Sequence, residues 1–257
     1  MNDAGAMASP AAHQPDRRTG AEPAPWGWRE CVAGLAAVVV VLVLAVVAAS
    51  TIVALHGARR GATTSFELWT GLGATLVFEI ALVGIAVRMT AGRYPGGLAL
   101  LGWRPRPIVS WLPWSGLAVL LSWGVLLVYS LVTLLPGLDA LRPQGDVPKG
   151  LFDHAEIVPL ATLLTVLAAP VAEETFFRGF LFAGLRGSLG FAAAATVSGA
   201  LFALFHASPT LIIPFTVIGV VFAYTYYRTG TLWASVTAHL IFNLVSVAVL
   251  LAGHGGS

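Results

Sequence analysis

The strongest constraint on this chain is a series of apolar runs, each near the roughly 20 residues that a helix needs to cross a bilayer. They fall at about 31–55, 67–89, 111–135, 156–186, 190–206, 210–227 and 231–252. The first reads CVAGLAAVVVVLVLAVVAASTIVAL. Lipid offers the backbone no hydrogen-bond partner, so such runs must pair their own N–H and C=O groups and fold as helices. The expectation is therefore an all-α, polytopic transmembrane helical bundle of about seven spanning helices, eight if the polar loop 136–153 holds a short interfacial helix. The composition agrees. Charged residues are 10% of the chain, against about a quarter in soluble domains.

A single membrane domain accounts for most of the length. Residues 1–25, rich in Ala, Pro, Asp and Arg without apolar periodicity, are expected to be a disordered tail. Residues 26–154 supply the first helices and a loop, and 155–252 the remaining helices of the same domain. Arg17-Arg18 resembles a twin-arginine signal, but the apolar run behind it is too long for a cleaved leader and suits an anchor. With the tail inside, Arg17, Arg18, Arg29, Arg88, Arg93, Arg104, Arg106, Arg186 and Arg228 fall on the inner side. Only Arg59, Arg60, Arg142 and Lys149 fall outside. That asymmetry predicts a cytoplasmic N-terminus, in an integral protein of a prokaryotic cell membrane. The net charge of +2 gives no reason to expect nucleic acid. One cysteine, Cys31, excludes an intrachain disulfide and a Cys-rich metal site. The bilayer is the evident partner.

Inside the apolar runs lie polar residues that lipid makes costly, and such residues are generally functional or paired. In AAPVAEETFFRGFLF (168–182), Glu174 and Arg178 are four apart, share a helix face and can pair. Glu173 is rotated by roughly 100° from Glu174 and can point elsewhere. FALFH sets Phe202 one turn before His206, and HLIFN sets His239 one turn before Asn243. Counted at 1.5 Å per residue from the polar breaks near 187–190 and 230, Glu173 lies roughly 20 Å deep, His206 roughly 24 Å, His239 roughly 13 Å and Asn243 roughly 20 Å. Three helices thus bring a carboxylate, two imidazoles and an amide to a similar level. Glu79 is a further intramembrane carboxylate, read as structural.

Hydrolysis needs a base for water and donors for an oxyanion, and these side chains can supply both. Glu and His could equally bind zinc or another divalent metal. However, there is no H-E-x-x-H zinc helix and no G-x-S-x-G serine elbow.

EETFFR (173–178), FALFH (202–206) and HLIFN (239–243), in that order on separate helices, resemble the signature of the CPBP intramembrane proteases. That family, also called the ABI family, includes CAAX prenyl endopeptidases and bacteriocin-processing or immunity-type proteins. The resemblance covers about 155–250. It implies an intramembrane peptidase in which Glu173 activates water with His206 as its partner. His239 and Asn243 would form the oxyanion hole, Glu174 and Arg178 would brace the site, and Phe202 would pack beside it. If a metal takes part, Glu173, His206 and His239 are the expected ligands, which would make the chain a metalloprotease. The implied substrate is a membrane protein or a lipidated or secreted peptide. Two other readings stay open: a non-catalytic scaffold or immunity-type protein, and a proton-coupled transporter. The latter lacks the internal repeat and paired broken helices common in transporters.

Overall fold

The computed structural model describes residues 21, 24–56, 64–143 and 150–254. Most of the expected tail, the Arg17-Arg18 pair, Arg59, Arg60 and Lys149 lie outside the described residues. Among those described there is no β-strand, and six helices are long and apolar enough to cross a membrane. They are α1 (Trp28–Leu55), α2 (Ser65–Met89), α3 (Ile108–Val132), α4 (Val158–Phe205), α5 (Ile212–Thr229) and α6 (Leu232–His254).

Six helices and seven apolar runs are reconciled in α4. Its 48 residues would extend about 70 Å if straight, more than twice a hydrocarbon core. The helix breaks at Gly190, whose φ of 73° and ψ of 176° suit glycine alone. The arms on either side are the fourth and fifth runs. The loop after α3 departs from expectation. Instead of an interfacial helix, its described residues form two single 3₁₀ turns, Asp139–Leu141 and Leu151–Asp153. Pro136, Gly137 and Pro143 explain this, since neither residue type sustains a helix.

The first arm of α4 is the buried centre of the bundle. Residues 174–182 are all buried, whereas α1 and α3 keep rows of Val and Leu exposed to face lipid. This arm is wound loosely, with π-type turns at Leu164–Ala168 and Glu174–Phe182. Wide turns disturb the regular ladder, and the second arm of α4 and the segment before α1 supply further donors to its carbonyls. Ser198 Oγ donates to the carbonyl of Phe177 (2.7 Å), and Trp26 Nε1 to that of Phe180 (3.0 Å).

Small residues set the tightest crossing. The second arm of α4 meets α5 at Gly199 and Gly219, where a Cβ on Gly219 would lie 2.6 Å from the Gly199 Cα. Without a hydrophobic drive between helices in lipid, such backbone proximity is a main source of packing. Gly199→Val should therefore pry α5 from α4. A destabilisation of about 1–3 kcal/mol, the usual cost of overpacking, is expected as a lowered unfolding midpoint in detergent. Gly71→Ala, with open space around it, should leave that midpoint unchanged.

Candidate active site

The site is built around Arg178, which is fully buried. Its Nη1 donates to Glu174 Oε1 at 2.8 Å and its Nη2 to the carbonyl of Gly219 at 3.2 Å. The guanidinium also stacks over Phe202, 4.5 Å from the ring centre, and lies 5.4 Å from that of Phe222. One side chain thereby joins both arms of α4 to α5. The bare backbone of Gly219 leaves room for this contact, since a Cβ there would stand 3.3 Å from Nη2 and 2.6 Å from the Gly199 Cα.

Glu174 turns its paired oxygen to a second partner. His239 Nδ1 lies 3.1 Å from the same Oε1. A carboxylate next to an arginine only accepts, so the imidazole proton sits on Nδ1. The other ring nitrogen, Nε2, then faces Glu173 Oε2 at 3.7 Å. Glu173 Oε2 is buried and has no hydrogen-bond partner. Two adjacent carboxylates thus have different surroundings. Glu174 holds the arginine and orients the histidine, while Glu173 is bonded to neither.

His206 caps the end of α4. Its Nδ1 is 2.9 Å from the Phe202 carbonyl; a carbonyl accepts, so Nδ1 carries the proton and Nε2 keeps its lone pair. The Phe202 ring stands between the imidazoles, 4.6 Å from His206 and 5.6 Å from His239 between centres. Asn243 lies one turn beyond His239 on α6. Its Nδ2 donates to the carbonyl of Thr165 at 2.8 Å, in the first loosely wound stretch of α4. The structure thus gathers Glu173, Glu174, Arg178, Phe202 and His239 into one contact network. His206 adjoins it through Phe202, and Asn243 sits on the α4–α6 seam with an exposed amide.

Three contributors were not evident from the motifs. Glu79 is buried on α2 with its Oε2 unpartnered, and it lies within electrostatic reach of Glu173. Only its place in an apolar run hinted at this. Trp103 lies outside the three motifs, yet its Nε1 donates to Thr175 Oγ1 (3.2 Å), inside the EETFFR segment. Phe222 packs 5.1 Å from His239 and carries no sequence signal beyond being apolar. Among the described residues, no three His, Cys, Asp or Glu side chains converge as ligands of one ion. His206 Nε2, His239 Nε2 and Glu173 Oε2 are atoms of ligand type, but they do not converge on one point, so the trio does not form a zinc or similar site as arranged.

Part of the chain is similar to known proteins. Residues 155–245 match the family described as type II CAAX prenyl endopeptidase Rce1-like, in agreement with the resemblance carried by the three motifs. The chain is also 30% identical over 108 residues to the Bacillus subtilis (strain 168) protein named "Putative membrane peptidase YdiL". That match spans 42% of this chain and 44% of the relative. No solved structure matches.

Removing Arg178 should show how far the network holds the fold. Arg178→Ala leaves Glu174 buried without its partner, a change that typically costs 3–5 kcal/mol. The expected result is protein that fails to give a monodisperse peak after detergent extraction. Arg178→Lys keeps the charge but not the forked donors, and should give an intermediate unfolding midpoint.

Proposed function

We propose that this chain is an intramembrane endopeptidase that hydrolyses a peptide bond in a membrane-associated or lipid-modified protein or peptide. The observation that carries the reading is the unlike state of the two adjacent carboxylates. Glu174 is committed to Arg178 and His239 through Oε1, though its Oε2 is unbonded, while Glu173 makes no hydrogen bond and its buried Oε2 faces His239 Nε2 at 3.7 Å. A structural ion pair needs only one glutamate; the second is available as a base.

In this reading Glu173 takes a proton from water as the oxygen attacks the carbonyl carbon of the scissile bond. The lone pair on His206 Nε2 orients that water. Negative charge growing on the carbonyl oxygen is met by the second Nδ2 hydrogen of Asn243 and by His239 as an imidazolium, whose Nε2–H is separate from the Nδ1–H given to Glu174, and a water-poor setting strengthens such bonds. The proton held by Glu173 then passes to the leaving amine, which restores the carboxylate. Glu174 and Arg178 keep the imidazole of His239 in register, and Phe202 spaces the two histidines. The substrate class follows from location: a bond reached by groups within the bundle must belong to a chain that enters or lies against the membrane. The family match and the peptidase relative support the same reading.

The test is Glu173→Gln, which keeps shape and removes the base. Loss of a general base commonly lowers the rate by about 10²–10⁴. Cells carrying the variant should accumulate uncut membrane proteins or lack small secreted peptides seen with the intact chain, while purified variant and parent unfold at the same temperature. An unchanged peptide profile with a retained cellular phenotype would favour a binding scaffold instead.

A further inference from the structure

On the side of the bundle where α2 ends and α3 begins, residues 90–107 form a short, well-braced segment. Gly102 adopts a φ of 96°, and a Cβ there would lie 2.5 Å from the Tyr226 ring, so the chain is pressed onto α5. The Gly102 carbonyl accepts from the Leu232 N–H at 2.8 Å, and the Arg104 carbonyl from Thr231 Oγ1 at 2.8 Å. The run Arg104-Pro105-Arg106-Pro107 follows, with φ fixed at both prolines. Beside it lies a wide-open surface depression of about 640 Å³ lined by Gly96, Ala99, Leu100 and this Arg-Pro-Arg-Pro run.

The chemistry of the walls is one-sided. Arg104 and Arg106 line the depression, and among the described residues no acidic one does. Arg104 Nε donates to the Ala99 carbonyl at 2.8 Å, which fixes its guanidinium on the wall. Both prolines lack an N–H, so recognition of an anion here falls to the arginines. Arg88, Arg93, Arg186 and Arg228 lie on the same side, where Glu30 is the acidic residue among those described. The surroundings then specify which anion. Immediately after Pro107, the exposed apolar side chains Ile108, Val109 and Leu112 open the lipid-facing surface of α3. Trp111 Nε1 donates to the Arg106 carbonyl at 3.2 Å, tying an aromatic ring of the interfacial type to the rim. A basic depression standing directly on an apolar wall matches a molecule with an anionic head and long hydrocarbon chains.

We propose that this depression binds the phosphate headgroup of an anionic phospholipid, with the acyl chains running along Ile108, Val109 and Leu112. The two guanidiniums hold the phosphodiester oxygens, which planar forked donors suit well, and a net negative lipid is favoured over a zwitterionic one. The site is separate from the glutamate–histidine network and does not depend on peptidase activity.

The experiment reads binding directly. The full chain in neutral detergent is titrated with dioleoylphosphatidylglycerol, dioleoylphosphatidylcholine or inorganic phosphate, and followed by its unfolding midpoint and by lipid adducts in native mass spectrometry. Phosphatidylglycerol should raise the midpoint and remain as an adduct, and the other two should do neither. Arg106→Gln and Arg104→Gln should each weaken the apparent affinity roughly fivefold, the factor that about 1 kcal/mol per arginine near an anionic lipid surface yields. Arg142→Gln, at an exposed pair with Asp139 (2.6 Å) on the other side, should bind as the parent does. Should Arg106→Gln hold phosphatidylglycerol as tightly as the parent, or phosphatidylcholine bind equally well, the headgroup site is wrong. A shift produced equally by inorganic phosphate would show a soluble-anion site and also overturn it.

Discussion

Everything in this bundle is arranged around one ion pair that lipid would not tolerate alone. Moving a carboxylate and a guanidinium out of water costs several kcal/mol each, and their attraction offsets this only when remaining donors and acceptors are also satisfied. Glu174 and Arg178 meet much of that condition by recruiting neighbours: the Gly219 carbonyl, the His239 imidazole and the faces of Phe202 and Phe222. The recruits come from three parts of the chain: α5, α6 and the second arm of α4. The pair therefore does more than neutralise two charges. It determines where α5, α6 and the second arm of α4 must lie, and so where the histidines stand relative to Glu173.

The loose winding of α4 serves the same arrangement. A pair four residues apart would meet on a regular helix too, but nine successive residues there are buried, including four phenylalanines. A regular helix presents one stripe, whereas this segment must present side chains to α1, α2, α5 and α6. Wider turns spread the side chains and leave carbonyls available to Trp26 and Ser198. Bare glycines complete the fit. Gly34 on α1 allows the Phe180 ring to approach to 2.4 Å from where a Cβ would stand, and the Gly199–Gly219 contact brings a carbonyl to Arg178.

Much of this was legible in the sequence because lipid leaves little freedom. Apolar runs of spanning length had to be helices, and the break near 187–190 emerged as the Gly190 kink. The Glu174–Arg178 pair followed from spacing alone, as did the divergence of Glu173. What spacing cannot carry is which helices touch. Glu79 was visible as a carboxylate in an apolar run, yet its approach to Glu173 depends on how α2 packs against α4. Trp103 lies outside every motif, and it is a 3₁₀ turn and the backward bend at Gly102 that direct its indole to Thr175. Asn243 was expected to face the same way as His239. It does share the seam, but its amide nitrogen bonds to Thr165, whose carbonyl is presented by a wide turn that no residue pattern announced.

The segment between α2 and α3 links these two themes, membrane contact and site geometry. It holds α6 at its first turn through Thr231 and Leu232, and it holds the EETFFR segment through Trp103 and Thr175. Trp103 also packs edge-on against Trp233, 4.9 Å between centres. His239 lies about two turns further along α6 from these anchors, and Glu174 is the immediate neighbour of Thr175. A displacement of this segment would therefore be felt on both sides of the Glu174–His239 bond at once. The same segment carries Arg104 and Arg106 at the bundle surface, so the proposed headgroup contact and the anchors of the buried network share one short stretch of backbone.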